Sequence, residues 1–225
     1  MKYELSDEVA TICIDDGKAN VVSHQFIDDF NRHLDQAKSE AKVVVLTGRS
    51  GMFSAGFDLK EFQKGPDNMM ALAKRGMALL TEVYSHPQPV VSVCDGHAVG
   101  LGAFLLLASD VRIGTDSDYN VTLPETAIGM GFTPVLMALI RDRISSRYQN
   151  LAVLQSKPFS GQEALQAGFL DQVVTQNQLS ESVIETAKKL AELPAEAYAR
   201  NKLDLRSPSL QLMKDFVEES EKVAA

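Results

Sequence analysis

Three short segments concentrate residues whose types could do chemistry. Phe53-Ser54-Ala55-Gly56-Phe57-Asp58-Leu59 follows an apolar β-branched run and a glycine-containing loop. Asp95-Gly96-His97-Ala98-Val99-Gly100-Leu101-Gly102 follows the next such run and opens an apolar helix. Leu123-Pro124-Glu125 sets a carboxylate behind a proline, after a third run. Singly, each has an ordinary structural explanation: small residues suit tight turns, glycines let a helix approach a sheet, and a glutamate after proline is usually a solvated charge. Their combination is more specific. Two small-residue turns at the ends of neighbouring strands can aim backbone N–H groups at one point, which is what a developing oxyanion requires. The second turn also opens a helix, whose positive end favours negative charge. One carboxylate nearby can then move a proton.

Other chemistries find less support in the residues. Gly100-Leu101-Gly102 begins like a dinucleotide fingerprint, but Leu105 stands where the third glycine belongs. His97 lies in the second turn and reads as a structural hydrogen-bonding residue; His24, His33 and His86 are scattered. Asp58 suits a helix cap. No group of His, Cys and carboxylates has metal-ligand spacing, so no metal site is expected.

The elements that must position these residues follow from periodicity. Residues 9–15 (VATICID) alternate as a strand, whereas Phe26, Phe30, Leu34 and Ala37 recur at helical spacing behind Ser23, a suitable N-cap. Residues 43–47 (VVVLT), 90–94 (VVSVC) and 110–114 (DVRIG) read as strands of a largely parallel, helix-covered sheet. Between them fall a glycine loop over 48–56, a helix around 68–84 ended by His86-Pro87-Gln88-Pro89, and a short apolar helix over 103–108. After about residue 133 the chain reads as helical. Ser160 and Glu163 form a capping box, Gly168 ends that helix, 170–174 is a short strand or edge, and helices are expected over 178–193, 195–206 and 209–223. The division expected is a catalytic core over 1–135 and a helical region over 136–225.

Length and charge bound the class. A chain of 225 residues with 45% hydrophobic content can bury a real core, and a formal net charge of −8 argues against a nucleic-acid or anionic-membrane binder. Cys13 and Cys94 sit in separate apolar segments and read as reduced thiols. MKYELSDEVAT lacks the apolar stretch of a signal peptide, and no apolar run is long enough to span a bilayer, so a cytoplasmic location is expected.

With these motifs, the chain resembles the crotonase, or enoyl-CoA hydratase/isomerase, superfamily. FSAGFDLKEF resembles its first oxyanion motif, and Asp95–Gly102 with Phe104–Ile113 its second. Thr122–Gly129 resembles its catalytic strand and loop, Lys18-Ala19-Asn20 its early loop near coenzyme A, and Gly161–Val174 its late helix–glycine–strand pattern. The resemblance implies an α/β, ClpP/crotonase-like fold of repeated β-β-α units with a C-terminal helical region that covers coenzyme A and mediates oligomerisation. It implies an acyl-CoA thioester substrate, no cofactor beyond the coenzyme A of that substrate, and a homotrimer or homohexamer. Carried over position by position, Ala55 and Leu101 supply the oxyanion N–H groups and Glu125 is the acid/base. Lys18, Ala19, Ser54, Ala55, Gly56, Phe57, Asp58, Leu59, Gly100 and Leu101 would line the substrate.

Two departures matter. Family hydratases hold water between two glutamates, and the position of the first is Phe104 here; the closest acidic residue along that helix, Asp110, is two turns away. A lone Glu125 suits a proton shuttle that moves a double bond from the 3- to the 2-position of an enoyl-CoA. Hydration, another thioester reaction, or an inactive CoA-ester-binding oligomer are the alternatives. The chain also ends at Ala225, before the family's usual last helical segment, so cover for coenzyme A is expected from a neighbouring subunit or to be less complete.

Overall fold

The computed structural model describes residues 1–222. β1 (Lys2–Ser6) and β2 (Val9–Cys13) form an antiparallel hairpin through Asp7 and Glu8, both at positive φ, as a two-residue hairpin turn requires. α1 (His24–Glu40) begins at Ser23, whose side chain accepts the Phe26 N–H at 3.2 Å. Three further β-β-α passes follow. The first comprises β3 (Val43–Thr47), β4 (Gly51–Ser54), α2 (Leu59–Phe62) and α3 (Pro66–Ser85). The second is β5 (Val90–Cys94), β6 (Gly96–Val99) and α4 (Leu101–Ala108), and the third β7 (Val111–Thr115), β8 (Val121–Thr122) and α5 (Pro134–Arg143). α6 (Ser146–Val153), α7 (Gly161–Ala167), β9 (Gln172–Val174), α8 (Leu179–Ala191) and α9 (Ala195–Lys222) come last.

In these three passes the first strand enters one sheet and the second enters another, whereas β1 and β2 share the larger sheet. The larger sheet has six strands in the order β1-β2-β3-β5-β7-β9, parallel except for β1 against β2. The smaller is β4-β6-β8, parallel throughout. Successive residues of a strand face opposite ways, which explains the unbroken β-branched runs. Val44, Leu46, Val90 and Cys94 join Phe30, Leu80 and Phe104 of the covering helices in the main core. Val43, Val45, Val91 and Val93 meet Leu179 and Ala187 of α8 on the other face. Each such side chain contributes roughly 1.5–3 kcal/mol by burial, so both faces need cover.

β1, β4 and β6 lie where no strand was expected; β4 and β6 fall within the two glycine-rich segments. The helices expected over 195–206 and 209–223 are one helix, α9, that carries Pro208 within it. Proline removes one helical hydrogen bond, and tertiary anchors on both sides hold the helix through it. Before it, Lys202 and Arg206 bond the buried Asp110 carboxylate at 2.7 and 2.6 Å; after it, Leu210 and Met213 enter the core. The Ser160–Glu163 capping box forms, and Gly168 closes that helix at φ +97°. β9 pairs in parallel with β7, so the sheet draws strands from both sides of residue 135. No helix among the described residues is long and apolar enough to cross a membrane.

Candidate active site

The three parallel strands β4, β6 and β8 run in one direction, so the segments leaving their C-terminal ends emerge at one edge. Those segments are Ala55–Asp58, Gly100–Leu101 and Leu123–Glu125. Glycine lets them meet closely. A Cβ on Gly56 would lie 2.7 Å from the Val99 carbonyl and 3.1 Å from the Leu101 nitrogen, and one on Gly102 would overlap Ser54. Gly100 takes the left-handed step, φ +52°, which leaves Leu101 in ordinary helical geometry as the first residue of α4. Leucine is therefore unstrained there, and its N–H, in the first helical turn, has no intrahelical acceptor.

The first turn presents a different donor from the one expected. Ala55 N–H is spent on the Ala19 carbonyl at 3.0 Å. The next residues form a short parallel ladder with the early loop: Val22 N–H donates to Gly56 O at 2.8 Å, and Asp58 N–H donates to Val22 O at 3.0 Å. Val22 thus brackets Phe57. In such a pair the bracketed residue's own N–H and C=O point away from the partner strand. Phe57 N–H accordingly faces the opposite side and has no acceptor among the described residues. The assignment of Ala55 as a donor is corrected on this geometry: the available N–H in this turn belongs to Phe57, and that of the second turn to Leu101. The Phe57 ring and the Leu101 side chain both lie over Gly76 of α3, which has no side chain to displace them.

The remaining expected residues divide between exposed and structural positions. Ser54 is fully buried, and its hydroxyl donates to Asn20 O at 2.8 Å while accepting the Gly56 N–H at 3.2 Å. Its side chain ties the turn together and does not line a ligand site. Asp58 caps α2 by accepting the Lys60 N–H at 3.0 Å. Leu59 and Lys18 are exposed, and Ala19 is half-buried beside the turn. His97 Nδ1 accepts the Asn120 N–H at 3.1 Å, a structural bond between strands.

Glu125 follows β8 and sits above Gly100: a Cβ on that glycine would be 3.5 Å from Glu125 Oε1. The residue is only 8% exposed, and Oε2 has no hydrogen-bond partner among the described residues. Desolvation with no compensating cation pushes its pKa up to about 7, against an ordinary 4.5. A carboxyl so placed can accept or release a proton near neutrality. Phe104, three residues after Leu101, is fully buried and packs edge-on against Phe132, with centroids 6.3 Å apart. A cavity of about 700 Å³ opens nearby, walled largely by apolar side chains such as Met70, Ala73, Met77 and Phe216. Its inner wall, Met77 and Thr133, lies one residue along from Gly76 and Phe132 and is joined by a Thr133 hydroxyl to Met77 sulfur contact of 3.0 Å.

Comparison with known proteins places the chain in a family. Residues 4–221 match the enoyl-CoA hydratase/isomerase family. A probable enoyl-CoA hydratase of Bacillus subtilis is 34% identical over 189 residues, covering 81% of this chain and 71% of the relative. A crystal structure of an enoyl-CoA hydratase/isomerase family protein from Pseudomonas syringae superposes with TM-score 0.94 at 35% identity, covering 98% of this chain and 96% of that one. A Mycobacterium tuberculosis protein, described as an enoyl-CoA isomerase with one structure and as a probable enoyl-CoA hydratase with another, superposes in the first with TM-score 0.91 at 31% identity, covering 98% and 97%.

Proposed function

The chain belongs to the enoyl-CoA hydratase/isomerase family, and within it we propose that this protein moves the double bond of an enoyl-CoA thioester from the 3- to the 2-position, with Glu125 as its single acid/base. The observation that carries this reading is the isolation of Glu125. It is buried above Gly100, next to the Leu101 donor, its Oε2 is unpartnered, and the position where family hydratases carry their other glutamate is Phe104. Two-carboxylate hydration needs a second group to hold and activate water, and phenylalanine can neither accept nor donate a proton. Proteins named isomerases and proteins named hydratases are both among the similar structures, so the reading rests on the site residues.

The proposed cycle balances without a co-reactant. The thioester oxygen accepts hydrogen bonds from Phe57 N–H and Leu101 N–H, which makes the C2 protons more acidic. The Glu125 carboxylate takes a proton from C2, and the resulting dienolate places negative charge on the oxygen between the two donors. Glu125, now protonated, delivers that proton to C4. The double bond is left between C2 and C3, and the carboxylate is regenerated. A base whose pKa is near 7 in its site is well matched to both transfers at neutral pH. Exposed Lys18, in the early loop bonded to the turn, is the cation proposed to meet a coenzyme A phosphate. The methionine-lined cavity is the proposed place for an apolar acyl tail, which suits a fatty acyl substrate.

The test supplies 3-enoyl-CoA and 2-enoyl-CoA separately to the purified protein. Conversion of the 3-enoyl ester that disappears in Glu125→Gln is expected. Water addition to the 2-enoyl ester at a rate exceeding isomerisation overturns the proposal in favour of hydration. Thermal stabilisation by acyl-CoA without turnover of either ester overturns it in favour of a binding protein.

A further inference from the structure

The proposed cycle uses the Phe57 N–H but none of the groups that hold it. The most heavily bonded of these is Asn20, which is 1% exposed and sits at φ +53°, a left-handed conformation that asparagine tolerates better than most residues. Its Nδ2 donates toward three main-chain carbonyls: Ile14 at 2.8 Å, just beyond β2, and Met52 and Phe53, both at 3.1 Å, within β4. Oδ1 accepts the Asp16 N–H at 3.0 Å. An amide nitrogen is the side-chain group with two hydrogens to share among converging carbonyls while its oxygen accepts in turn.

The main chain around Asn20 completes the attachment. Its carbonyl accepts from Ser54 Oγ, which in turn accepts the Gly56 N–H. On either side, Ala19 O receives Ala55 N–H, and Val22 bonds both Gly56 O and Asp58 N–H. Residues 19–22 therefore form a strap along the whole donor turn, and the Asn20 side chain buttons that strap to the strand from which the turn springs. The outer end of the strap is held as well. The Asp16 carboxylate accepts Lys18 and Asn20 N–H at 2.7 and 2.9 Å, and Arg49 Nε donates to Lys18 O at 2.8 Å.

We infer that Asn20 is a positioning residue for the oxyanion donor: by joining the strap to β4, it fixes the direction in which the Phe57 N–H points. The physical argument is one of peptide-plane orientation. The 56–57 plane is held through Gly56 O and the 57–58 plane through Asp58 N–H, and both partners are atoms of Val22. If the strap shifts, both planes turn together and the N–H leaves the point it shares with Leu101. Reacting geometry is sensitive to such shifts, with about 1 Å of misplacement costing on the order of 100-fold in rate. This inference rests on the isomerase reading for its kinetic consequence and on the coordinates for its structural one.

The test is Asn20→Gly, which keeps the left-handed backbone accessible and deletes the amide. The expected result is a fall in kcat of roughly 10- to 100-fold, with KM for a 3-enoyl-CoA changed by less than about threefold. The red shift of the ultraviolet band of a bound 2-enoyl thioester, which reports carbonyl polarisation, is expected to shrink in parallel. A lower melting temperature with unchanged kcat and band shift overturns the inference, because a purely structural role predicts that pattern. Should Asn20→Gly fail to fold, Ser54→Ala cuts the same link from the other side. A smaller loss of kcat and band shift is expected there, and unchanged values overturn the inference. If the wild type neither turns over nor polarises an enoyl thioester, it is the isomerase reading that fails. The positioning claim is then decided by crystal structures of wild type and Asn20→Gly. Displacement of the Phe57 nitrogen relative to Leu101 by about 1 Å supports it, and an unmoved turn overturns it.

Discussion

Replacing Glu125 by glutamine is expected to abolish turnover and yet to stabilise the protein, by an amount that grows with pH. The folded protein holds the Glu125 proton until about pH 7, whereas an ordinary carboxyl releases it near 4.5. Between those values the unfolded chain is ionised and the folded chain is not, so the unfolded state binds fewer protons and stability falls as pH rises. Below 4.5 both states are protonated and the group contributes nothing; above 7 both are ionised and the penalty is constant. At about 1.4 kcal/mol per pH unit, the penalty is roughly 1.4 kcal/mol at pH 5.5 and roughly 3 kcal/mol at pH 8. Glutamine has nearly the same shape and cannot ionise, so it carries no such penalty. The stability difference between Glu125→Gln and wild type should therefore widen by about 2 kcal/mol from pH 5.5 to pH 8, close to 1 M in urea midpoint for a slope of about 2 kcal/mol/M. Urea titrations followed by circular dichroism at the two pH values measure it. Every other titrating group, including the buried His86 and Lys202, is common to both proteins and cancels in the difference. A difference equal at both pH values would falsify the claim that burial without a compensating cation raises the Glu125 pKa. In the same assay series, wild-type kcat/KM should rise to a plateau through about pH 7, since only the ionised carboxylate can take the C2 proton.

Two further outcomes follow from other parts of the fold. Asp110 accepts from the Val90 N–H, Lys202 and Arg206 at 2.6–2.7 Å in a site where all three charged side chains are at most 7% exposed; burial outweighs the carboxylate on Lys202 and holds its pKa near 8. Asp110→Asn leaves two buried cations without their carboxylate, holding only the Gln88 and Tyr84 carbonyls, and should cost about 3–5 kcal/mol in urea unfolding, loosening α9 from the start of β7. Ala73→Trp should fill part of the 700 Å³ cavity lined by Met70 and Met77 and raise KM at least tenfold for a long-chain enoyl-CoA while changing that for a four-carbon ester little; equal effects on both would remove the acyl tail from that cavity.

How far the site could be read from sequence depended on what kind of property each residue contributes. The runs 43–47 and 90–94 announce themselves because a strand covered on both faces is apolar at every position, and Ser23 and Ser160 announce their helices by cap chemistry. β4 and β6 carry no such pattern. A Cβ on Gly96 would lie 2.1 Å from atoms of Gly51 and Met52, so the close pairing that makes the strands also demands the glycines that make them look like loops. Pro208 misleads in the opposite direction, since only the folded chain supplies the Asp110 and core contacts that hold a helix through it. At the site, side-chain chemistry was legible: the presence of Glu125 and the phenylalanine at 104 are facts of residue type. The choice between Ala55 and Phe57 was not, because it turns on which peptide plane faces inward, and no residue type encodes that. The answer lies with Val22, more than thirty positions earlier, whose backbone takes Gly56 O and Asp58 N–H and leaves the intervening N–H pointing the other way. Asn20 looked like one polar residue in a polar turn for the same reason: the three carbonyls that give its amide a task come from residues 14, 52 and 53. In this protein the group proposed to move the proton is a side chain and the groups proposed to hold the charge are main chain. The first can be altered by changing one codon at the site, whereas the second is reached only through the residues that orient the backbone, which is why Asn20, rather than Phe57 itself, is the informative position to mutate.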